Sequence, residues 1–349
     1  MDTSKLTIGM PAGSLANASR GGNLIKLLED SGFETKGYEE GGPSTFKTVN
    51  FLYGWDGRPQ EFSSQLALQE LDVAIAGDDW IEERIIEFKL EYNTDIQLEK
   101  VLPLNRGGVR LVGIVKGDSP FDTTEAFLTD LVSKKQLLTV VTEMPYLALH
   151  WVRESLRKIG KLEEYNDFSV QKYKTPSRIE KGVLIYETWG KTESKVLNNG
   201  ADFGLEITQS GSAIRNYGLK IIETVFKSQT SIWINPELKK DAEKFDLLQM
   251  FLLNIYGSIN AENKVLVSFN VANSKREMVD KYLSENNLFA DEPTMSVGKT
   301  YTVYSIQVET NGSKTPLAMI RYQLAKLGAT NIDTLPIQSS IPSIDTIRI

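Results

Sequence analysis

The 349-residue chain has no cysteine and a single histidine, His150. Without cysteine there is no disulfide framework, no thiolate nucleophile and no cysteine-ligated metal. With one histidine, His-based zinc sites, two-His iron sites and most Ser-His-Asp schemes fall away. Positive charge is also in deficit. Acidic residues number 46 against 39 basic ones, a formal net charge of −7. Such a field repels nucleic acid and anionic lipid, so neither is an expected partner, and an anionic small molecule needs local donors. Long apolar runs are missing too: the longest, near Leu247–Tyr256, is about half of a membrane span. The opening Met1-Asp2-Thr3-Ser4-Lys5 lacks the pattern of a signal peptide. The expectation is a cytoplasmic protein with no membrane partner. What remains for chemistry is backbone amides, hydroxyls, carboxylates and basic side chains.

What is present reads as an ordinary globular chain, with 41% hydrophobic and 24% charged residues and length for two or three domains. No solenoid-length repeat or low-complexity tract interrupts it. Strands and helices alternate. Strands are predicted at Leu6–Met10, Leu71–Ala76, Arg110–Val115, Leu137–Thr142, Val183–Glu187, Phe203–Thr208, Leu219–Phe226 and Ser231–Asn235. Helices are predicted at Asn23–Asp30, Asp122–Lys135 and Pro145–Lys158, with another after Gly77 capped by Asp78 or Asp79. That alternation argues for mostly parallel α/β sheets covered on both faces. Pro236 to Gly257 reads as one long connecting helix. Beyond it come a strand at Val265–Val271, a helix at Ser274–Glu285, strands at Thr294–Val297 and Tyr301–Val308, a helix at Pro316–Leu327 and a strand at Ile332–Ile337. This is the β-α-β-β-α-β order of a ferredoxin-like module.

The most informative stretch runs from Ala201 to Leu219. A strand brings Glu206 near its end, the small-residue loop Thr208-Gln209-Ser210-Gly211-Ser212-Ala213 follows, and Arg215 comes after it. Small residues let successive backbone N–H groups converge on an anion. Gly211 can take positive φ and admit a ligand close to the backbone. An acid just before the loop suits sugar hydroxyls, so phosphate plus ribose is the ligand such a segment fits. The same composition also reads as a plain serine-glycine turn.

The chain resembles the ATP phosphoribosyltransferase family in its long form with a C-terminal regulatory domain. Met10-Pro11-Ala12-Gly13-Ser14-Leu15 is similar to the family's first strand and glycine loop, and Leu71 through Asp79 to its second strand and turn. Gly107-Gly108-Val109-Arg110-Leu111, Thr142-Glu143-Met144-Pro145-Tyr146-Leu147 and Gly190-Lys191-Thr192-Glu193 resemble further family segments in the right order. So do Ala201-Asp202, Arg215-Asn216-Tyr217-Gly218-Leu219, Leu327-Gly328-Ala329-Thr330-Asn331-Ile332 and Leu335-Pro336-Ile337.

The resemblance implies an α/β fold with a two-lobed, periplasmic-binding-protein-like catalytic part and a C-terminal ferredoxin-like domain. It implies lobe I at residues 1–106 plus 219–258, lobe II with the phosphate loop at 107–218, and a regulatory domain at 259–349. The implied reaction opens histidine biosynthesis: N1 of ATP attacks phosphoribosyl pyrophosphate, and pyrophosphate leaves with Mg²⁺. The resemblance assigns phosphoribosyl pyrophosphate binding to Thr208, Gln209, Ser210, Gly211, Ser212, Ala213 and Ile214. It makes Glu206 and Arg110 the catalytic pair. It puts Gly13, Ser14, Arg20, Gly77, Asp78, Glu193 and Arg215 around the nucleotide cleft, and no metal on the protein itself. Histidine as inhibitor and a homo-oligomer, hexamer or dimer, are implied by resemblance alone.

The chain also departs from the family. Ala12-Gly13-Ser14 carries no charge where the family has a basic pair, Glu206 replaces an Asp, and Ala213 replaces a threonine. Each charge-assisted hydrogen bond lost is worth about 1.5–3 kcal/mol, and Arg20 is the nearest compensating cation. Two alternatives therefore stand beside the leading reading: a phosphoribosyltransferase with another acceptor, and a non-catalytic two-lobed binding protein. The Gly-rich stretch Gly37–Gly57 reads as a cleft cover or a passive loop. His150 reads as a packed or surface residue, Glu193 as a cap, an ion-pair partner or a cleft residue. Tyr301, Tyr304, Trp233 and Trp189 read as core rather than as a stacking platform.

Overall fold

Every residue of β1 (Leu6–Pro11) is buried, including Thr7 between Leu6 and Ile8, as befits a strand covered on both faces. The computed structural model describes residues 6–11, 16, 22–38, 45–47, 52–288, 294–311 and 314–349. Gly13, Ser14 and Arg20 lie outside the described residues, as do 39–44, 48–51 and the side chains of Tyr53 and Trp55. The chain divides into two compact units, residues 1–25 with 35–247, and residues 26–34 with 248–349.

After β1 come α1 (Leu24–Asp30), β2 (Thr35–Lys36), β3 (Thr45–Phe46), β4 (Leu52–Gly57), α2 (Pro59–Ala67), β5 (Val73–Gly77), α3 (Asp78–Tyr92) and β6 (Glu99–Lys116). Next are α4 (Thr124–Lys134), β7 (Leu137–Thr142), α5 (Pro145–Lys158), β8 (Phe168–Lys172), β9 (Gly182–Glu187), α6 (Thr192–Leu197), β10 (Phe203–Thr208), α7 (Ser212–Asn216) and β11 (Leu219–Ile234). These strands form a nine-stranded sheet in the order β4-β1-β5-β11-β6-β10-β7-β9-β8, while β2 and β3 pair apart.

The sheet's centre is the antiparallel pair β6–β11. The early part of β6 faces the end of β11, which also pairs antiparallel with β5. The later part of β6 faces the start of β11 and pairs antiparallel with β10. β5 therefore runs opposite to β10, β7 and β9. The C-terminal ends of both strand sets meet the middle of the long pair: Gly77 lies opposite Thr230, and Thr208 opposite Arg110. In open α/β sheets ligands sit outside such C-terminal ends.

Helices cover both faces. Trp151, Leu147 and Leu156 of α5 pack with Phe203 and Leu205 of β10. On the other face Val196 of α6 and Ile214 of α7 pack on Val112 and Ile114 of β6. Gly204 makes the approach of α6 fit, because a Cβ there would lie 3.0 Å from Val196 Cγ2 and 3.1 Å from Thr192 Cγ2.

The second unit contains β12 (Lys264–Ala272), α9 (Arg276–Glu285), β13 (Thr294–Val297), β14 (Tyr301–Glu309), α10 (Leu317–Lys326) and β15 (Ala329–Pro336), preceded by α8 (Ala242–Ala261). Its antiparallel sheet runs β13-β14-β12-β15, which is the ferredoxin-like order expected from the sequence. β14 alternates buried and exposed residues. Its inward Tyr304 stacks on Phe269 at 5.2 Å between ring centroids and donates to Asp280 Oδ1 at 2.5 Å.

Several expected boundaries change. Leu219–Phe226 and Ser231–Asn235 are one strand, because β6 pairs along both through a series of bulges. β6 itself begins at Glu99 rather than Arg110. Pro236–Lys240 is a 3₁₀ turn rather than the start of a long helix. Asn235 Oδ1 accepts the Glu237 N–H at 3.0 Å and Asp241 Oδ1 the Lys244 N–H at 3.1 Å, so two caps split the run. β4, α2 and β8 were not expected from the sequence.

Candidate active site

β10 delivers the small-residue loop to the middle of the long strand pair. Thr208 Oγ1 accepts the Gly211 N–H at 2.9 Å, and Ser210 Oγ accepts the Ser212 N–H at 3.3 Å. Gly211 takes φ 74° as the N-cap of α7, a conformation that glycine adopts without strain. Ile214 is fully buried and anchors the turn, while Gln209, Ser210, Ser212 and Ala213 stay exposed. Arg215 Nη1 donates to the Ser210 carbonyl at 3.3 Å. A Cβ on Gly211 would lie 3.2 Å from Arg215 Nη1 and 3.9 Å from Arg110 Nη2. Two guanidinium groups thus flank the space over the glycine. The Gly211 and Ser212 N–H groups are used within the loop, so the first-turn amides of Ala213 and Ile214, which have no intrahelical acceptor, are the ones that can meet an anion, with positive charge beside them.

Glu206 stands opposite Val112, two residues before Thr208. Its Oε1 accepts the Ile207 N–H at 3.0 Å, whereas its buried Oε2 has no hydrogen-bond partner. Burial pushes its carboxyl up to about 7, and the charges of Glu193 and Glu143 add to the rise. The Thr192 hydroxyl and the Ile207 N–H pull the other way, although the Thr192 oxygen makes no well-formed hydrogen bond. The orphaned Oε2 therefore lies buried beside the loop, without a partner.

A cavity of about 400 Å³ adjoins the loop, with Lys100, Arg110, Gln209 and Lys227 in its wall. Lys227 lies directly across β6–β11 from Arg110, as Thr208 does across β6–β10. Opposed residues share a face, so the three line up. Lys227 was missed in the sequence. Nothing local marks it, since its place depends on a bulged pairing between distant strands.

The remaining expected cleft residues are placed as follows. Gly77, not an aspartate side chain, is the N-cap of α3. Asp78 is not a cap: it is buried, accepts Trp233 Nε1–H at 3.2 Å and pairs with Lys100 Nζ at 3.1 Å. Asp79 instead bonds the Trp80 N–H at 3.0 Å and sits by Ser228. Glu193 is in the first turn of α6, near enough for its charge to act on Glu206. His150 is exposed on α5.

A larger cavity of about 590 Å³ opens at the ends of β5, β7 and β9, lined by Trp80, Glu143, Tyr146 and Trp189 among others. Trp189 is 82% exposed, so it is not core, and neither is Tyr301 at 51%; Trp233 and Tyr304 are. The sequence cue for Trp189 was its place immediately before the family-like Gly190 segment.

The sequence model of the ATP phosphoribosyltransferase family (HisG) matches residues 58–256, more than half of the chain. The chain belongs to the ATP phosphoribosyltransferase family. The matched span contains Arg110, Glu206, the Thr208–Ile214 loop and Lys227. The chain is 28% identical to the ATP phosphoribosyltransferase of Desulfatibacillum aliphaticivorans over 310 residues, 88% of this chain and 89% of the relative. It is 25% identical to that of Geotalea uraniireducens over 344 residues, 96% of this chain and 99% of the relative. Among solved structures, an ATP phosphoribosyl transferase (HisG:HisZ) complex from Thermotoga maritima aligns at 15% identity and TM-score 0.49, covering 72% of this chain and 98% of that one. The family consists of pentosyltransferases of histidine biosynthesis that use ATP and phosphoribosyl pyrophosphate. No helix among the described residues is long and apolar enough to cross a membrane.

Proposed function

We propose that this chain carries out its family's reaction, transfer of phosphoribosyl from phosphoribosyl pyrophosphate to N1 of ATP, as the first step of histidine biosynthesis. The observation that carries the reading is the Thr208–Ile214 turn with Arg110 and Arg215 flanking Gly211, inside the span that matches the family. In this reading the loop amides and hydroxyls hold the 5′-phosphate. The orphaned Glu206 Oε2 accepts from a ribose hydroxyl. Arg110 and Lys227 face the pyrophosphate.

The adenine N1 lone pair forms the bond to C1′ while the C1′–O bond breaks and its electron pair leaves on pyrophosphate. Such a displacement asks for positioning and charge stabilisation rather than acid–base relays. A chain without cysteine and with one exposed histidine is equipped for that. Mg²⁺ belongs to the substrate here. The pyrophosphate oxygens supply hard ligands of the kind Mg²⁺ prefers.

The ferredoxin-like unit is the proposed place of histidine inhibition and of homo-oligomer contacts, and the cytoplasm the proposed compartment. The test is direct. Purified, folded chain with ATP, phosphoribosyl pyrophosphate and Mg²⁺ is expected to form phosphoribosyl-ATP and pyrophosphate. Absence of product at saturating substrates overturns the reading.

A further inference from the structure

Trp189 stands in water on a loop that is fixed on both sides. The Thr188 N–H donates to the Thr142 carbonyl at 2.8 Å. Lys195 Nζ donates to the Gly190 carbonyl at 2.5 Å. Gly190 and Lys191 both hold left-handed backbone, φ 81° and 61°, a conformation that a lysine adopts only where its surroundings impose it. A pinned loop that spends its rigidity on exposing an indole calls for a ligand surface, since tryptophan is among the side chains that gain most from burial.

The cavity beneath it indicates the chemistry. Trp80 and Tyr146 add aromatic surface, and Glu143 and Glu187 add carboxylates. The lining holds five glutamates against Arg58 and Arg84; Arg84 is paired with Glu87, and Lys172, paired with Glu187, lies 5.8 Å from the Trp189 ring centroid. Such a lining repels phosphate and favours a flat ring that carries or acquires positive charge. Glu143 also lies toward Glu206: it follows Thr142, which pairs across β7–β10 with Leu205, the residue before Glu206.

We propose that Trp189 is the stacking platform for the purine ring of the acceptor, and that Glu143 beside it stabilises the positive charge which the ring gains on attack. The inference rests on the phosphoribosyl-transfer reading. When N1 donates its lone pair to C1′ and pyrophosphate departs with the C1′–O electron pair, the purine holds one positive charge until an N6 proton leaves to solvent. Stacking on the indole orients N1, and the carboxylate offsets that charge.

The test measures ATP binding to the full chain by calorimetry, with ribose 5-phosphate present, alongside steady-state KM values. Trp189→Ala is expected to weaken ATP by about 5- to 150-fold, the range that loss of base–aromatic stacking produces, with phosphoribosyl pyrophosphate affinity unchanged. Trp189→Phe is expected to retain most of the ATP affinity. Wild-type ATP affinity in folded Trp189→Ala, or an equal loss for both substrates, overturns the proposal. So does a wild-type chain that binds no adenine nucleotide. The two readings fail separately. A chain that binds ATP through Trp189 but forms no phosphoribosyl-ATP loses the reaction and keeps the platform. An active enzyme whose ATP KM ignores Trp189 does the reverse.

Discussion

The Glu83 carboxylate accepts the Leu147 backbone N–H at 2.7 Å. Its other oxygen accepts the Tyr146 N–H at 2.9 Å. Pro145 at the first position of α5 has no N–H, so one side chain of α3 satisfies the next two free donors of that helix. Glu83 is 6% exposed, which makes it a buried clasp between elements on either side of the larger cavity.

Glu83→Ala is expected to strand two N–H groups. At about 1–3 kcal/mol for each unsatisfied donor, unfolding in urea should reveal a loss of several kcal/mol. The clasp also has a pH signature. Burial pushes Glu83 up to about 8 from its ordinary 4.5, against the pull of the two N–H bonds. The folded chain therefore holds an extra proton between those values. Its contribution is complete below pH 4.5 and is lost as pH rises through about 8. Glu83→Gln cannot titrate, so its stability should fall less over that window. An equal slope in both proteins would remove Glu83 as the cause.

Glu206 gives the opposite sign for binding. Its carboxyl sits at about 7, and a ribose hydroxyl donates best to the ionised form. The ionised fraction falls about tenfold between pH 8 and pH 6 for such a group. Phosphoribosyl pyrophosphate affinity is expected to fall by about that factor on acidification. Glu206→Gln should bind weakly and evenly across the range. For folding, the raised pKa works the other way, favouring the folded chain at acid pH. Tighter binding at pH 6 than at pH 8 would contradict the assigned role.

What the sequence shows of these elements, it shows because the determinants are local. Pro145–Lys158 and Phe203–Thr208 are observed as expected, because proline placement and a short, mostly apolar run are read from neighbours alone. The turn at Thr208–Gly211 is read from the sequence for the same reason, since Thr208 and Gly211 bond within it. Asp78 was misread as a cap because its true partners, Lys100 and Trp233, are distant in sequence. Lys227 and the clasp by Glu83 were invisible on that ground too. Trp189 was assigned to the core because hydrophobicity alone does not distinguish a core tryptophan from one held outward by a pinned loop.

Arg110 and Lys227 predict an electrostatic signature. No carboxylate pairs with either among the described residues, and Arg110 makes only a long 3.4 Å contact to Thr224 Oγ1. Arg110→Gln should raise the KM for phosphoribosyl pyrophosphate by about 10- to 150-fold, the equivalent of one charged hydrogen bond. Exposed Lys227 acts across more solvent, so Lys227→Gln should cost only a few-fold and reduce the salt dependence of binding. A salt slope untouched by Lys227→Gln would place the pyrophosphate elsewhere.

Gly211 tests the nest itself. Its φ of 74° and its tight setting against Ile221, Arg215 and Arg110 make it the position where the smallest added group does most. In Gly211→Ala the new methyl lies 3.1 Å from Ile221 Cδ1 and 3.2 Å from Arg215 Nη1. Backbone strain costs about 1–2 kcal/mol, a modest fall in the thermal midpoint of a chain this size. Ligand loss should be larger, because the methyl crowds the Arg215 guanidinium beside the loop: at least about tenfold in phosphoribosyl pyrophosphate affinity, a loss of one charged contact. Ser212→Ala leaves the backbone intact and removes one hydroxyl, so it should cost less. If Gly211→Ala binds phosphoribosyl pyrophosphate normally, the loop is a structural turn. The anion must then be held by Arg110 and Lys227 without it.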